Sequence, residues 1–94
     1  AAFLYEKSSE LNPGSYASFE NAAASYLSIN NYEKVLSNTS RVIDSFNITT
    51  GKSEYLRAIA LKDLNKLDEA CLFFRKSYKY GFSNAYKYLN KYCK

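Results

Sequence analysis

The feature that most constrains this chain is a polar interruption that occurs twice. "INNYEKVL" at 29–36 and "LNKLDEACL" at 64–72 each break an apolar run with asparagine and then resume it at once. Asn65 follows Asn30 by 35 residues, and a repeat of this length is typical of helical solenoids, in which short helix pairs stack. The other positions that match at this offset are Ala23 with Ala58, Tyr26 with Leu61, Glu33 with Asp68, and Val35 with Ala70.

Apolar residues at spacings of three and four predict helices on both sides of each interruption. "NPGS" at 12–15 is predicted to end an earlier helix, because proline cannot continue a helix and glycine tolerates the turn. One proline and three glycines leave few breaks in the chain, which favours helices over an all-β meander. The sequence therefore predicts an all-α protein. The predicted helices are 16–29, 32–46, 54–64, 67–80 and 85–93.

Asparagine is a strong N-cap residue, so we expect Asn30 and Asn65 to begin the helices that follow them. Glu33 comes three residues after Asn30 and forms a capping-box-like pair with it. Asp68 lies in a first turn, where a carboxylate suits the helix dipole. Each interruption is thus predicted to be the tight turn between the two helices of one repeat.

The repeat resembles the tetratricopeptide repeat (TPR), whose pattern runs W-x2-L-G-x2-Y, then A-x3-F and a closing proline. The first unit places Phe19, Ala22-Ala23 and Tyr26 at the tryptophan, leucine–glycine and tyrosine positions. The second unit places Ala58 and Leu61 at the small and tyrosine positions, and Ala70 and Phe74 at A-x3-F. The departures from the pattern are Val35, Thr39, Glu54 and Arg57.

This resemblance implies one domain over 1–94, an all-α TPR-like helix-turn-helix solenoid. Pro13 stands six residues before Phe19, as the family's closing proline stands before the next unit. We therefore expect the chain to be the C-terminal part of a longer repeat protein, with an ending that resembles the closing helix of TPR-like proteins from AT-rich bacteria. Its expected parts are the end of a preceding repeat (1–13), two repeats (15–47 and 51–82) and a capping helix (83–94).

TPR-like proteins bind peptides or proteins in a concave face lined by the first helix of each pair, so the resemblance implies a non-catalytic interaction scaffold. Glu20 and Ala24 stand where the chaperone-binding subset has lysine and asparagine, which argues against a chaperone-tail adaptor. Carried over by position in the motif, the groove candidates are Glu20, Ala24, Leu27, Ser28, Lys52, Tyr55, Ile59, Lys62, Asp63, Tyr86 and Leu89.

The composition argues against an enzyme. The chain has no histidine for general base catalysis at neutral pH and no glycine-rich phosphate loop. The acidic pair Asp68-Glu69 is explained by its place at a helix N-terminus. We expect no catalytic residue, no cofactor and no metal site.

The charge is unevenly placed, and it supports an alternative function. Residues 1–47 carry three basic and five acidic side chains, whereas residues 48–94 carry ten basic and four acidic ones. A small basic helical domain that binds nucleic acid or another anionic surface is therefore the alternative, although a lysine-rich solvated face is the more common explanation. The residues that would serve it are Lys76, Lys79, Lys87, Lys91, Lys94, Tyr80, Tyr88 and Tyr92.

Cys71 and Cys93 lie on either side of the predicted turn at Gly81-Phe82. If the last two helices are antiparallel, the cysteines come close enough for a disulfide, which indicates an oxidising compartment such as a periplasm. Two small buried hydrophobic residues are the alternative. No stretch approaches the ~20 apolar residues of a membrane span, so a soluble cytoplasmic or periplasmic protein is expected.

Overall fold

The structure, a computed structural model, describes residues 16–45 and 50–93. These residues contain helices and no strand, so the predicted all-α class is confirmed. The predicted end of a preceding repeat at 1–13, including Pro13, lies outside the described residues, as do 46–49 and Lys94. The helices are α1 (Tyr16–Ser28), α2 (Tyr32–Ser40), α3 (Lys52–Asp63), α4 (Leu67–Lys79) and α5 (Ala85–Tyr92), and a π-helical turn (Arg41–Ser45) follows α2.

Helices that are adjacent in the chain pack against each other, and α1 also contacts α3. Two apolar clusters result, and α3 contributes to both of them. The first lies among α1, α2 and α3 and contains Ala22, Ala23, Tyr26, Val35, Leu56 and Ala60. The second lies among α3, α4 and α5 and contains Ala58, Leu61, Ala70, Phe74 and Ala85.

Small side chains are fully buried where the helices pack against each other. Ala23 and Ala58, the matching small positions of the two units, are both fully buried. A larger side chain at either position would force the neighbouring helices apart, because a packed interior has little spare volume.

The repeated asparagine ends a helix. Asn30 and Asn65 both have a left-handed backbone, with φ of 60° and 64°. At the end of α1, the backbone N–H of Asn31 donates to the carbonyl of Tyr26 (2.9 Å), and that of Asn30 donates to the carbonyl of Leu27 (3.0 Å). These are the two bonds of a Schellman motif, in which the left-handed position favours glycine or asparagine.

The end of α3 has the same geometry. The N–H of Lys66 donates to the carbonyl of Leu61 (2.8 Å), and the N–H of Asn65 donates to the carbonyl of Lys62 (3.0 Å). The end of α4 repeats it with Gly81, whose φ is 96°. The two asparagines that recur 35 residues apart therefore end their helices with the same backbone geometry.

The predicted N-cap roles of Asn30 and Asn65 are wrong. Asn31 is the N-cap of α2, where its Oδ1 accepts from the N–H of Lys34 at 3.4 Å. Lys66 is the N-cap of α4 and makes no side-chain cap bond. Asparagine suits both an N-cap and a left-handed position. The residue type therefore indicates a break between two helices, but it does not indicate whether the asparagine ends the first helix or begins the second.

Two helix boundaries differ from those predicted by two residues or more, and the other helix ends agree within one residue. The helix expected over 32–46 is α-helical only to Ser40, and the π-helical turn begins at Arg41. α3 begins at Lys52 instead of 54, and the N–H of Gly51 before it donates to Oε1 of Glu54 at 3.0 Å. Gly51 has φ of 84°, and a Cβ there would lie 2.9 Å from Cβ of Phe82, so this entry to α3 requires glycine.

The last two helices are antiparallel and joined. Cys71 on α4 and Cys93 just after α5 have Cα atoms 5.6 Å apart, and their sulfur atoms form a disulfide. The expected proximity is confirmed, and this bond fastens the end of α5 to α4. At the other end of the pair, the ring of Tyr86 lies 5.6 Å from that of Tyr78.

Candidate functional site

Glu20, a predicted groove residue, is buried. Its exposed fraction is 6%, and its Oε2 accepts hydrogen bonds from Oγ of Ser53 (2.7 Å) and Oγ1 of Thr50. Both donors belong to the entry of α3. Glu20 thus joins α1 to α3, and its carboxylate is directed into the protein.

Other predicted groove residues on α1 and α3 contribute mainly to packing. Ala24 and Leu27 are half-buried against the first apolar cluster, and Ile59 is half-buried against the second. Ser28 is exposed, and its Oγ donates to the carbonyl of Ser25 at 2.6 Å. Lys52, the first residue of α3, is half-buried.

Tyr55 joins three helices through aromatic contacts. Its ring centroid lies 4.9 Å from that of Phe82, 5.7 Å from that of Tyr88 and 6.2 Å from that of Phe74. Burial, followed by the hydrogen bond with Tyr88 and the charge of that neighbour, raises the pKa of Tyr55 to about 12. Tyr55 is therefore neutral at physiological pH and holds α5 against α3.

The end of α3 presents a charged pair. Nζ of Lys62 lies 2.7 Å from Oδ1 of Asp63, and this hydrogen bond raises the pKa of the Lys62 ammonium. The hydroxyl of Tyr32 lies 3.1 Å from Oδ2 of Asp63 and 3.1 Å from Oδ1 of Asn30, and either oxygen accepts its proton. Lys62 is thus charged, with its charge compensated by Asp63.

An open pocket of about 320 Å³ lies beside this pair, between α3 and α5. We call it the lysine–tyrosine pocket, and the residues that line it are Lys62, Lys87, Tyr88, Lys91 and Tyr92. Each ammonium group lies near the face of a ring, where cation–π attraction favours it. Nζ of Lys62 is 5.4 Å from the Tyr92 centroid, Nζ of Lys87 is 5.5 Å from that of Tyr88, and Nζ of Lys91 is 5.3 Å from that of Tyr92.

Core contacts fix the aromatic wall of the pocket. The ring of Tyr88 stacks on Phe74 of α4, with centroids 4.8 Å apart and planes within 5°. Tyr92, one helical turn further along α5, stacks beside Tyr88 at 6.1 Å. The disulfide at Cys93 follows directly, so both ends of this wall are held.

Residues that the sequence assigns to two different surfaces meet in this pocket. The motif positions place Lys62 in the groove. The residues that the sequence assigns to the alternative function, binding of nucleic acid or another anionic surface, include Lys87, Tyr88, Lys91 and Tyr92. The structure brings them together because α5 packs against α4 and its tyrosine rings reach the side chains of α3. Leu89 is partly buried in the second apolar cluster, and Tyr86 is exposed against Tyr78 of α4.

No group of three or more histidine, cysteine, aspartate or glutamate side chains within 16–45 and 50–93 is arranged to hold a metal ion. Within the same residues, no helix has the length and apolar character needed to cross a membrane. No protein-family model matches the chain, nor does any curated protein or solved structure. A proposal of function therefore rests on the geometry of the chain itself.

Proposed function

We propose that this chain is a TPR-like solenoid module that binds a peptide or protein partner and catalyses no reaction. The helix pairs α1–α2 and α3–α4 each turn at an asparagine in the same left-handed conformation, and α5 stands where a third pair would begin. The contact between α1 and α3 supports this arrangement, because a solenoid makes the first helices of successive pairs neighbours. In this frame α1, α3 and α5 line the binding face.

The lysine–tyrosine pocket is the observation that carries the proposal. It lies between α3 and α5, on the two helices that would line the binding face. Tyrosine is enriched at protein interfaces because its ring offers a large contact area and its hydroxyl a polar group. A recess walled by two ordered tyrosines and rimmed by lysines suits a partner that brings both apolar and acidic groups.

Nucleic acid fits this pocket less well than a protein does. Base stacking needs a free aromatic face, but Tyr88 stacks on Phe74 and has the ammonium of Lys87 5.5 Å from its centroid. Lys76, another lysine of the alternative face, lies over Phe73 on α4 and is not part of the pocket. We therefore propose a protein partner.

The disulfide supports a proposal about the compartment in which this module acts. Cysteines kept at bonding distance form disulfides in oxidising compartments and are reduced in most cytosols. Cys71 and Cys93 are bonded, so we propose that the module acts in a periplasm or outside the cell.

Partner capture with charge-reversal variants tests the proposed function. We expect Lys62→Glu to reduce the protein captured from an extract of the source cells by the immobilised chain, because it reverses a charge in the pocket. Lys79→Glu, an equal charge change at an exposed position at the far end of α4, is the matched control and should leave capture unchanged. Equal capture by both variants and the parent chain, with unchanged melting temperatures, would contradict the proposal.

A further inference from the structure

The uncompensated charge in the lysine–tyrosine pocket belongs to α5. Lys62 is paired with Asp63, whereas Lys87 and Lys91 form no ion pair among the residues that the structure describes. α5 itself contains no acidic residue. A ligand that enters the pocket therefore meets two ammonium groups whose charge no carboxylate of the described chain balances.

The spacing of these two lysines defines what they can bind together. Lys87 and Lys91 are four residues apart on one helix, so their backbone positions differ by roughly 6 Å along the axis. An extended peptide repeats its side chains on one face every second residue, a distance of about 6.6 Å. Two acidic side chains separated by one residue would thus match the two lysines.

We propose that the lysine–tyrosine pocket binds an extended acidic segment of a partner protein, in which two acidic side chains separated by one residue pair with Lys87 and Lys91. This inference rests on the proposed function and names the chemistry of its partner. Neighbouring acidic residues do not suit the site, because successive side chains of an extended chain project to opposite faces. The residue between the two acidic ones faces away from α5.

The tyrosines prepare the pocket for such a ligand. Each lysine lies over the adjacent ring, with Nζ of Lys87 5.5 Å from the Tyr88 centroid and Nζ of Lys91 5.3 Å from the Tyr92 centroid. Because Tyr88 and Tyr92 are themselves held by stacking, the ammonium groups are partly ordered before binding. Less side-chain entropy is then lost when the ion pairs form.

The test compares two acidic peptides of equal composition and an uncharged analogue. The probes are Gly-Ser-Glu-Ser-Glu-Ser-Gly, its isomer Gly-Ser-Ser-Glu-Glu-Ser-Gly, and a version of the first with glutamine in place of glutamate, all capped at both ends. Each is titrated into the ¹⁵N-labelled chain, because chemical-shift changes report millimolar binding and its location. We expect the alternating peptide to shift the amides of 87–92, to bind more tightly than its isomer, and to weaken as salt is added.

Matched variants show which lysines bind the peptide. Lys87→Gln together with Lys91→Gln should weaken the alternating peptide about fivefold, the sum of two exposed ion pairs. Lys76→Gln together with Lys79→Gln removes the same charge from α4 and should leave the affinity unchanged. Equal affinity for the two glutamate isomers, equal effects of the two double variants, or tighter binding of a thymidine decamer at the same residues would overturn the inference.

The failure of this inference and the failure of the proposed function give different results. If Lys62→Glu abolishes partner capture and the Lys87/Lys91 double variant does not, the acidic ligand is wrong and the interaction module stands. If neither variant alters capture, both proposals are wrong. Melting curves of each variant show that the fold is retained in every comparison.

Discussion

At the scale of single residues, the buried carboxylate of Glu54 has the clearest energetic consequence. Its exposed fraction is 1%. Burial raises the pKa of Glu54, the hydrogen bond from Gly51 opposes this rise, and the nearby Glu20 adds to it. The pKa of Glu54 is therefore higher in the folded chain than in the unfolded chain. The carboxyl group of Glu54 makes its full contribution to stability at a pH below its unfolded pKa, and this contribution is lost as the pH rises through its folded pKa.

We therefore expect Glu54→Gln to raise the free energy of unfolding at pH 7 relative to the parent chain. Glutamine keeps the volume and the acceptor for the N–H of Gly51, while it removes a charge that burial disfavours. Urea unfolding at pH 4, 5 and 7 should show the gain shrinking as the pH falls. Glu33→Gln, at an exposed position of α2, is the control, and a loss of stability by Glu54→Gln that is the same at each pH would contradict the account.

The packing of α3 provides a second residue-scale prediction. Ala58 is fully buried in the second apolar cluster, so Ala58→Leu should lower the free energy of unfolding by roughly 1–3 kcal/mol through overpacking. Ala17→Leu makes the same change at an exposed position of α1 and should have a small effect. An unchanged melting temperature for Ala58→Leu would show that α3 does not contact its neighbours closely at this point.

At the scale of elements, the helix ends show what residue type can and cannot predict. The two asparagine interruptions located the breaks between paired helices correctly, because a polar residue that favours non-helical backbone rarely lies in the middle of an apolar run. The choice between an N-cap and a helix C-terminus depends on backbone φ, which neighbouring helices fix. The sequence predicts that α3 begins at residue 54, whereas it begins at Lys52. The hydrogen bond from the N–H of Gly51 to Oε1 of Glu54 forms this earlier start, and the spacing of apolar residues gives no sign of it.

Substitutions at Asn65 distinguish the two roles. Serine is as good an N-cap as asparagine, but in the left-handed conformation it costs about 1 kcal/mol or more. We expect Asn65→Ser to lower the free energy of unfolding by about that amount, and Asn65→Gly to maintain or raise it, as measured by urea unfolding. The reverse order would restore the N-cap interpretation.

The disulfide gives the second element-scale prediction. Cys71 and Cys93 are separated by 22 residues, and closing a loop of this size stabilises a protein by about 3 kcal/mol in the chain-entropy treatment. Reductant should lower the free energy of unfolding by about this amount. The double variant Cys71→Ala, Cys93→Ala should be unaffected by reductant, and an alkylated mass showing two free thiols in the untreated chain would contradict the bond.

At the scale of the whole molecule, sequence patterns predicted the helices and their 35-residue recurrence but not the pocket. Helical periodicity is local, so it can be read from neighbouring residues. The lysine–tyrosine pocket depends on how α5 packs beside α3, and that contact is made by Tyr55 and Tyr88, which are far apart in the chain and belong to no common motif. The π-helical turn after α2 likewise had no signal in the apolar spacing.

The central claim is that a partner binds at the face formed by α3 and α5. The most direct measurement is a ¹⁵N–¹H correlation spectrum of the labelled chain with and without the captured partner. We expect the shifted or broadened amides to cluster at Lys62, Tyr88 and Tyr92. Changes confined to the exposed side of α4, at Leu72 and Lys76, with α3 and α5 unaffected, would contradict the claim.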